Sequence, residues 1–306
     1  MRIGTTYLVN ILKYGYPPKV EDDFKGFELL GKLGFHYMEM EGLGREHAAH
    51  VRQNVNEYRR ALADSGIHIH NFCVVDPALT SLDAKEQEQA FSNFQQMVEI
   101  GLLLGTETFH LASYAPPVHY NGRVPYALDG GEYVFGPQVR VTIPDDFSWP
   151  HVWENLVRSC QRCADYVATF GKILLMEPRI GEVICSVDSM LRLLEYVDRP
   201  NLKANFDVGH FSAQRENVSL ALMKLEGKFA NIHIADNRPT DTDHLAIGCG
   251  DVDWQEFFRI LKRMDYQGYL GLDLGARTDE ELISALLASR EKIRQYCEEA
   301  EIAIEW

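Results

Sequence analysis

Four polar residues each close a short apolar run: Glu177 after Ile173-Leu174-Leu175-Met176, Asp207 after Ala204-Asn205-Phe206, His233 after Asn231-Ile232, and Asp273 after Leu270-Gly271-Leu272. Taken singly, each has an everyday role, because a strand-end carboxylate commonly caps the next helix and a lone histidine is commonly a hydrogen-bonded core residue. Their spacing, about one strand-plus-helix unit each, adds more. If the strands lie side by side, three carboxylates and an imidazole arrive at one end of a sheet, where the carboxylates repel unless a cation neutralises them. Oxygen ligands with one imidazole suit a single divalent ion, Mn²⁺ first with Mg²⁺ or Co²⁺ behind it, rather than a structural zinc, which favours thiolates. A cation touching a carbonyl and an adjacent hydroxyl stabilises the ene-diolate formed when a neighbouring C–H is deprotonated, and a carboxylate within reach can serve as base. Isomerisation, epimerisation and β-elimination all begin with that step.

The elements that must position these residues are legible as an alternation of short β-like runs with longer helical patterns, the mark of a parallel α/β fold. Strands are expected at Ile3–Leu8, Tyr37–Glu41, Ile67–Val74, Thr108–Ser113, Ile173–Glu177, Leu202–Asp207, Phe229–Ala235 and Tyr269–Leu274. Between them Phe91, Phe94, Val98 and Leu102, and later Leu191, Leu194 and Val197, recur at helical spacing. Gly34, Gly66, Gly105, Gly171 and Gly268 each stand just before a strand, as helix C-caps or helix-to-strand turns do. One repeated unit predicts a single (β/α)8 barrel over residues 1–306, with the four polar residues on the C-terminal rim. The exception is Tyr114–Pro150, too long for an ordinary connection and rich in Pro, Gly, Tyr and Val; it is expected as an insertion after the fourth strand, on the active-site rim or as a surface excursion with its own hairpin.

Other side chains have more than one reading. His110 ends the fourth strand and faces either the site or the strand–helix interface, while of His68 and His70 the register must turn one inward. Glu39 and Arg179 are candidate rim residues, with Glu41 an alternative to Glu39 through the same alternation. His47 and His50 have helical spacing without a nearby acidic partner, which predicts a solvated helix face. Cys160 and Cys163 form a CxxC inside a helical pattern, where core packing is expected over redox or zinc chemistry. With 45 acidic and 30 basic residues, the formal charge of −15 opposes attraction to nucleic acid or an anionic membrane. The first residues lack the basic and apolar regions of a secretory signal, and no run nears the roughly 18 apolar residues of a membrane helix, so a cytoplasmic protein is expected.

Five stretches carry a likeness: Gly34-Phe35-His36-Tyr37-Met38-Glu39, Met176-Glu177-Pro178, Asn205-Phe206-Asp207-Val208-Gly209-His210, Asn231-Ile232-His233-Ile234-Ala235-Asp236-Asn237-Arg238, and the run from His244 to Trp254. On these the chain resembles the sugar isomerase/epimerase superfamily of xylose-isomerase-like barrels, over its length except the insertion. The resemblance implies metal ligation by Glu177, Asp207, His233 and Asp273, and substrate hydroxyl contacts from His210 and Arg238. In the epimerases the first and last ligands are glutamates that double as the acid–base pair, which places Glu177 and Asp273 in those roles. Asp273 departs from that pattern, being shorter by a methylene, so its metal role is better supported than its proton-transfer role.

The leading expectation is therefore a metal-dependent isomerase or epimerase of a keto-sugar or related polyol carbonyl compound, in a homo-oligomer. No glycine loop opens a helix where a phosphate would sit, so an unphosphorylated sugar is expected. The alternative is a lyase that uses the same enolisation. The aromatic insertion, from Tyr114-Ala115-Pro116-Pro117 through Pro125-Tyr126 to Phe147-Ser148-Trp149, and the run Met176–Val183 are similar to catalytic subunits of C-glycoside deglycosidases. Those split an aglycone from a 3-oxo-sugar and pair the barrel with a small β-rich subunit. In either case Trp149 and the nearby tyrosines are expected to cover the rim and set substrate size. Endonuclease IV shares the fold, but its multi-zinc site needs more rim histidines than can be placed here, and the acidic charge opposes a DNA duplex.

Overall fold

The computed structural model describes residues 1–121, 140–238 and 243–306. In chain order the elements are β1 (Arg2–Thr5), α1 (Leu8–Tyr14), α2 (Val20–Lys32), β2 (Tyr37–Leu43), α3 (Gly44–Gln53), α4 (Val55–Ser65), β3 (His68–Val75), a 3₁₀ turn (Pro77–Thr80), α5 (Ala84–Leu104) and β4 (Thr108–Ala112). A short hairpin of β5 (His119–Tyr120) and β6 (Val141–Thr142) precedes α6 (Trp149–Ala168). Then follow β7 (Ile173–Glu177), α7 (Val187–Val197), β8 (Leu202–Asp207), α8 (Val208–Ala213), α9 (Val218–Lys224), β9 (Phe229–Ile234), α10 (Trp254–Arg263), β10 (Tyr269–Leu272) and α11 (Asp279–Glu299). The strands close in the order β1-β10-β9-β8-β7-β4-β3-β2, with every neighbouring pair parallel. This is the α/β barrel that the alternation predicts.

Side-chain alternation along the strands separates two interiors. Leu174 and Met176 of β7, Ala204 and Phe206 of β8, and Ile232 and Ile234 of β9 belong to the apolar core between barrel and helices. Their alternates Glu177, Asn205, Asp207, Asn231 and His233 are just as buried but polar, because they face the inside of the barrel. Two bulges break the alternation, one between Met38 and Glu39 against β3 and one between Ala204 and Asn205 against β9. Each re-aims the side chains beyond it, and both lie beside the polar interior.

Local signals set the helix ends. Asp83 caps α5 by accepting from the N–H groups of Lys85 and Glu86 at 2.8 and 2.9 Å, and Gly105 closes it in the left-handed conformation. Trp149 and Pro150 lie inside α6 rather than in the insertion, because Ser148 accepts from His151 N–H at 3.4 Å as N-cap and Pro150 fits the first turn, where no N–H is needed. The rest of the expected insertion contributes the hairpin, while residues 122–139, Pro125 and Tyr126 among them, lie outside the described residues. Cys160 and Cys163 are both buried on α6 with free thiols. Among the described residues no helix is long and apolar enough to cross a membrane.

Candidate functional site

Glu177, Asp207 and His233 meet at the C-terminal ends of three adjacent strands. Asp207 pairs with His233 across β8 and β9, and the partners Met176 and Ala204 put Glu177 one step along from them on β7. Nδ1 of His233 lies 2.8 Å from Oε1 of Glu177 and 3.5 Å from Oδ2 of Asp207. One donor atom from each of the three falls within 4.8 Å of the others. Donors that share an ion at bonds of about 2.1 Å stand roughly 3 to 3.5 Å apart, so this set fits a divalent cation.

The fourth expected ligand is placed differently. Asp273 follows β10, where its Oδ1 accepts from Thr6 Oγ1 at 2.7 Å and its Oδ2 lies 3.1 Å from Nδ1 of His244. It is not in the group formed by the other three. Burial works against its charge, but His244, His233 and Thr6 outweigh that and bring its pKa down to about 2. His244 moves the other way, to about 9, because Asp273 outweighs its desolvation.

Glu177 is held from every side. Asn205 Nδ2 donates to its Oε1 at 2.6 Å, Arg179 Nε donates to its Oε2, and Nε2 of His110 stands 3.5 Å from that same oxygen. Burial would raise its pKa, yet Arg179, His110 and His233 hold it well below the ordinary carboxylate range. His233 sits between carboxylates on both ring nitrogens, since Nε2 is 2.9 Å from each oxygen of Glu39. Desolvation opposes its charge, but Glu39 and Glu177 together hold it well above the usual histidine value. Glu39 is accordingly not open to solvent at the rim: it is 2% exposed and also accepts from Asn231 Nδ2 at 2.7 Å.

His110 faces the barrel interior, 5.5 Å from the His233 ring. His70 is the inward member of its pair, stacked at 4.1 Å on Tyr269, while His68 lies 3.1 Å from Glu107 at the opposite end. Nε2 of His70 stands 3.5 Å from Glu39 Oε1 as Nε2 of His110 does from Glu177 Oε2, and neither ring makes a shorter hydrogen bond among the described residues. His210 is buried, and its backbone N–H donates at 2.8 Å to Oδ1 of Asp207, the N-cap of α8; desolvation first of all lowers the pKa of its ring. Arg238 is exposed, 3.9 Å from Asp243, next to residues 239–242, which lie outside the described residues. Trp149 is 41% exposed at the start of α6, its ring 6.5 Å from Phe147.

His47 departs from its expected place. It is buried rather than solvated, accepting from Leu43 N–H at 3.3 Å on Nδ1 with Nε2 3.7 Å from Asp23. That acidic partner comes from α2, which helical spacing within α3 could not reveal; His50 is exposed as expected. Two carboxyls were not singled out as acid–base candidates. Desolvation raises Glu41 to about 7 against the pull of Arg179, and it raises Glu182 to about 7 likewise. Glu41 was visible through its alternation with Glu39; Glu182 carried no signal beyond lying close after Glu177.

A parallel barrel with carboxylates and histidines gathered at the C-terminal strand ends defines a class of enzymes whose site is built on the strand termini. The family model for the xylose isomerase-like TIM barrel matches residues 27–297, and the chain belongs to that family. The chain is 22% identical over 250 residues to SgbU of Haemophilus influenzae, named as a candidate L-ribulose-5-phosphate 3-epimerase, covering 79% of this chain and 78% of that one. It is 23% identical over 143 residues to hydroxypyruvate isomerase of Escherichia coli, covering 45% of this chain and about half, 54%, of the relative. Among solved structures, an L-ribulose 3-epimerase superposes with a TM-score of 0.73 at 17% identity, covering 98% of this chain and 95% of that one. A D-tagatose 3-epimerase-like protein gives 0.72 at 16% identity, with 98% of both chains covered. The chain is an enzyme whose relatives are sugar epimerases and isomerases.

Proposed function

We propose that the protein is a divalent-metal-dependent isomerase or epimerase of a keto-sugar or related polyol carbonyl compound, acting through an ene-diolate. The observation that carries this reading is the convergence of Glu177, Asp207 and His233 Nδ1 on one small volume at the strand ends, with Asp273 close by. A divalent ion held there would polarise a carbonyl and its neighbouring hydroxyl, with Mn²⁺ the first expectation. Asp273 would complete the ligand set if its carboxylate turned from Thr6 Oγ1 and His244.

The chain's own residues supply the proton handling. Glu177 and Asp273 form the acid–base pair of this proposal. Each is stabilised as a carboxylate, Glu177 by Arg179 and the two histidines and Asp273 by His244, so neither is a strong base while those partners stay in place. A substrate hydroxyl that draws Arg179 away frees Oε2 of Glu177 and raises its basicity. His110 and His210 line the same volume as hydrogen-bonding groups for sugar hydroxyls, with Arg238 and Trp149 as outer contacts.

The test is a panel of free ketoses and a phosphorylated ketopentose incubated in deuterated water with Mg²⁺ and followed by proton NMR. Deuterium should enter at the carbon beside the carbonyl, together with a new isomer, in at least one compound. A panel that shows no exchange in any ketose would sink the proposal. Including the phosphorylated sugar also tests the expectation, drawn from the missing glycine loop, that phosphate is not required.

A further inference from the structure

The Glu39 carboxylate reaches across the barrel to a histidine three strands away, and this contact has no part in the chemistry just described. Strand β2 is separated from β9 by β1 and β10, yet both oxygens of Glu39 lie 2.9 Å from Nε2 of His233. The contact passes over Gly271 of β10, which lies at the register of His233. A Cβ there would come 3.5 Å from Oε1 of Glu39 and 3.5 Å from Cδ2 of His233, and 3.3 Å from the Thr6 methyl group.

A ring of side chains fixes both ends of this contact. Asn231 Nδ2 donates to Glu39 Oε1 at 2.7 Å and lies 2.8 Å from Asn205 Oδ1; Asn205 Nδ2 donates to Glu177 Oε1 at 2.6 Å; and Glu177 Oε1 faces His233 Nδ1 at 2.8 Å. Every member is buried. We propose that Glu39 is a positioning residue for His233: it takes the Nε2–H, so that Nδ1 is the nitrogen turned to Glu177 and Asp207. This rests on the reading of those three residues as a cation site. A histidine that gives its second N–H to a carboxylate is fixed in tautomer and ring orientation, and losing such a partner typically costs about 10- to 100-fold in metal affinity. The same atoms permit a rival arrangement, since donors of Glu39, His110 and His233 also lie within 4.8 Å of one another and could hold an ion of their own.

Two measurements on the full-length chain separate these cases. In chelator-treated protein with ¹⁵N-labelled histidine, the Nε2–H of His233 should give a downfield, slowly exchanging proton signal that Glu39→Ala abolishes and Glu39→Gln, which can still accept, retains. That readout needs no metal, so it decides the positioning role even if the cation reading fails. In a Co²⁺ titration the wild type should bind one equivalent, Glu39→Ala should bind it about 10- to 100-fold more weakly, and Glu39→Gln should fall between them. An Nε2–H signal unchanged in Glu39→Ala would overturn the proposal. So would two bound equivalents in the wild type with one lost at unchanged affinity of the other in Glu39→Ala, because Glu39 would then be a ligand. Absence of any Co²⁺ binding by the wild type would count against the cation site, leaving the proton signal to judge Glu39.

Discussion

Glu182 shows how one carboxyl can be needed for shape and yet resist its charge. Its Oε2 accepts from Ser113 N–H at 3.0 Å, Ser113 Oγ at 3.1 Å and Tyr114 N–H at 2.8 Å, which pins the end of β4 to the loop after β7, while its Oε1 has no partner among the described residues. Burial dominates, so the folded pKa rises from 4.5 to about 7. The folded state thus keeps a proton that the unfolded chain has released. This contribution to stability is full below about 4.5, is lost as pH rises towards 7, and is level above that, a loss of roughly 3 kcal/mol at most. Glu182→Gln keeps an accepting oxygen and cannot ionise. In urea unfolding at pH 5 and pH 8, the wild type should lose roughly 1 to 3 kcal/mol more between the two than the variant does. Equal losses would show that the carboxyl is ionised in the fold.

At the scale of elements, the site depends on how closely α5 lies against the strands that carry His70 and His110. Gly101 is the point of contact: a Cβ there would come 2.5 Å from Cε1 of Phe109 and 3.3 Å from Cβ of Phe72. On an open helix Gly→Ala stabilises by about 1 kcal/mol through propensity, whereas overpacking a core costs typically 1 to 3 kcal/mol. Phe109 is fully buried, with nowhere free of cost to move, so overpacking should win. Gly101→Ala is expected to lower the urea midpoint; an unchanged or higher midpoint would show that α5 can shift outward. Strand order, strand positions and the end of the barrel that bears the polar residues were all legible in the sequence, because apolar runs that end in Glu177, Asp207 and His233 repeat at one unit's spacing. The Glu39–Asn231–Asn205 ring was not. Its members are turned inward beside two bulges, and a bulge breaks the two-residue period from which facing is inferred. His244 was missed as the partner of Asp273 because it lies in a loop, where no periodicity sets direction.

For the whole molecule, the barrel interior is a network of opposite charges that stabilise one another. Glu39, Glu177, Asp207 and Asp273 share it with Arg179 and a set of histidines, two of which are held protonated by the carboxylates around them. A divalent ion that binds only the folded state stabilises it by mass action, about 2.7 kcal/mol at a hundredfold excess over Kd. For a barrel of this size that is several degrees in Tm. Thermal unfolding in saturating Co²⁺ should therefore lie roughly 5 °C above that in EDTA for the wild type, and the gap should shrink in Asp207→Asn. The variant in EDTA should be somewhat less stable than the wild type, since Asp207 lies 3.5 Å from Nδ1 of His233 and helps to hold that ring protonated; a variant as stable as the wild type in EDTA would show that repulsion among the carboxylates outweighs this pairing.

The requirement proposed for proton exchange beside a sugar carbonyl is a divalent ion at Glu177, Asp207 and His233. Its most direct test is the rate of solvent deuterium entry into an accepted ketose, measured as Co²⁺ is added stepwise to chelator-stripped protein and the ion is removed before each spectrum. The rate should climb from zero, level off at one equivalent per chain, and stay at zero throughout for Glu177→Gln. Full exchange by stripped protein kept in EDTA, or undiminished exchange by the Glu177→Gln variant, would contradict the account.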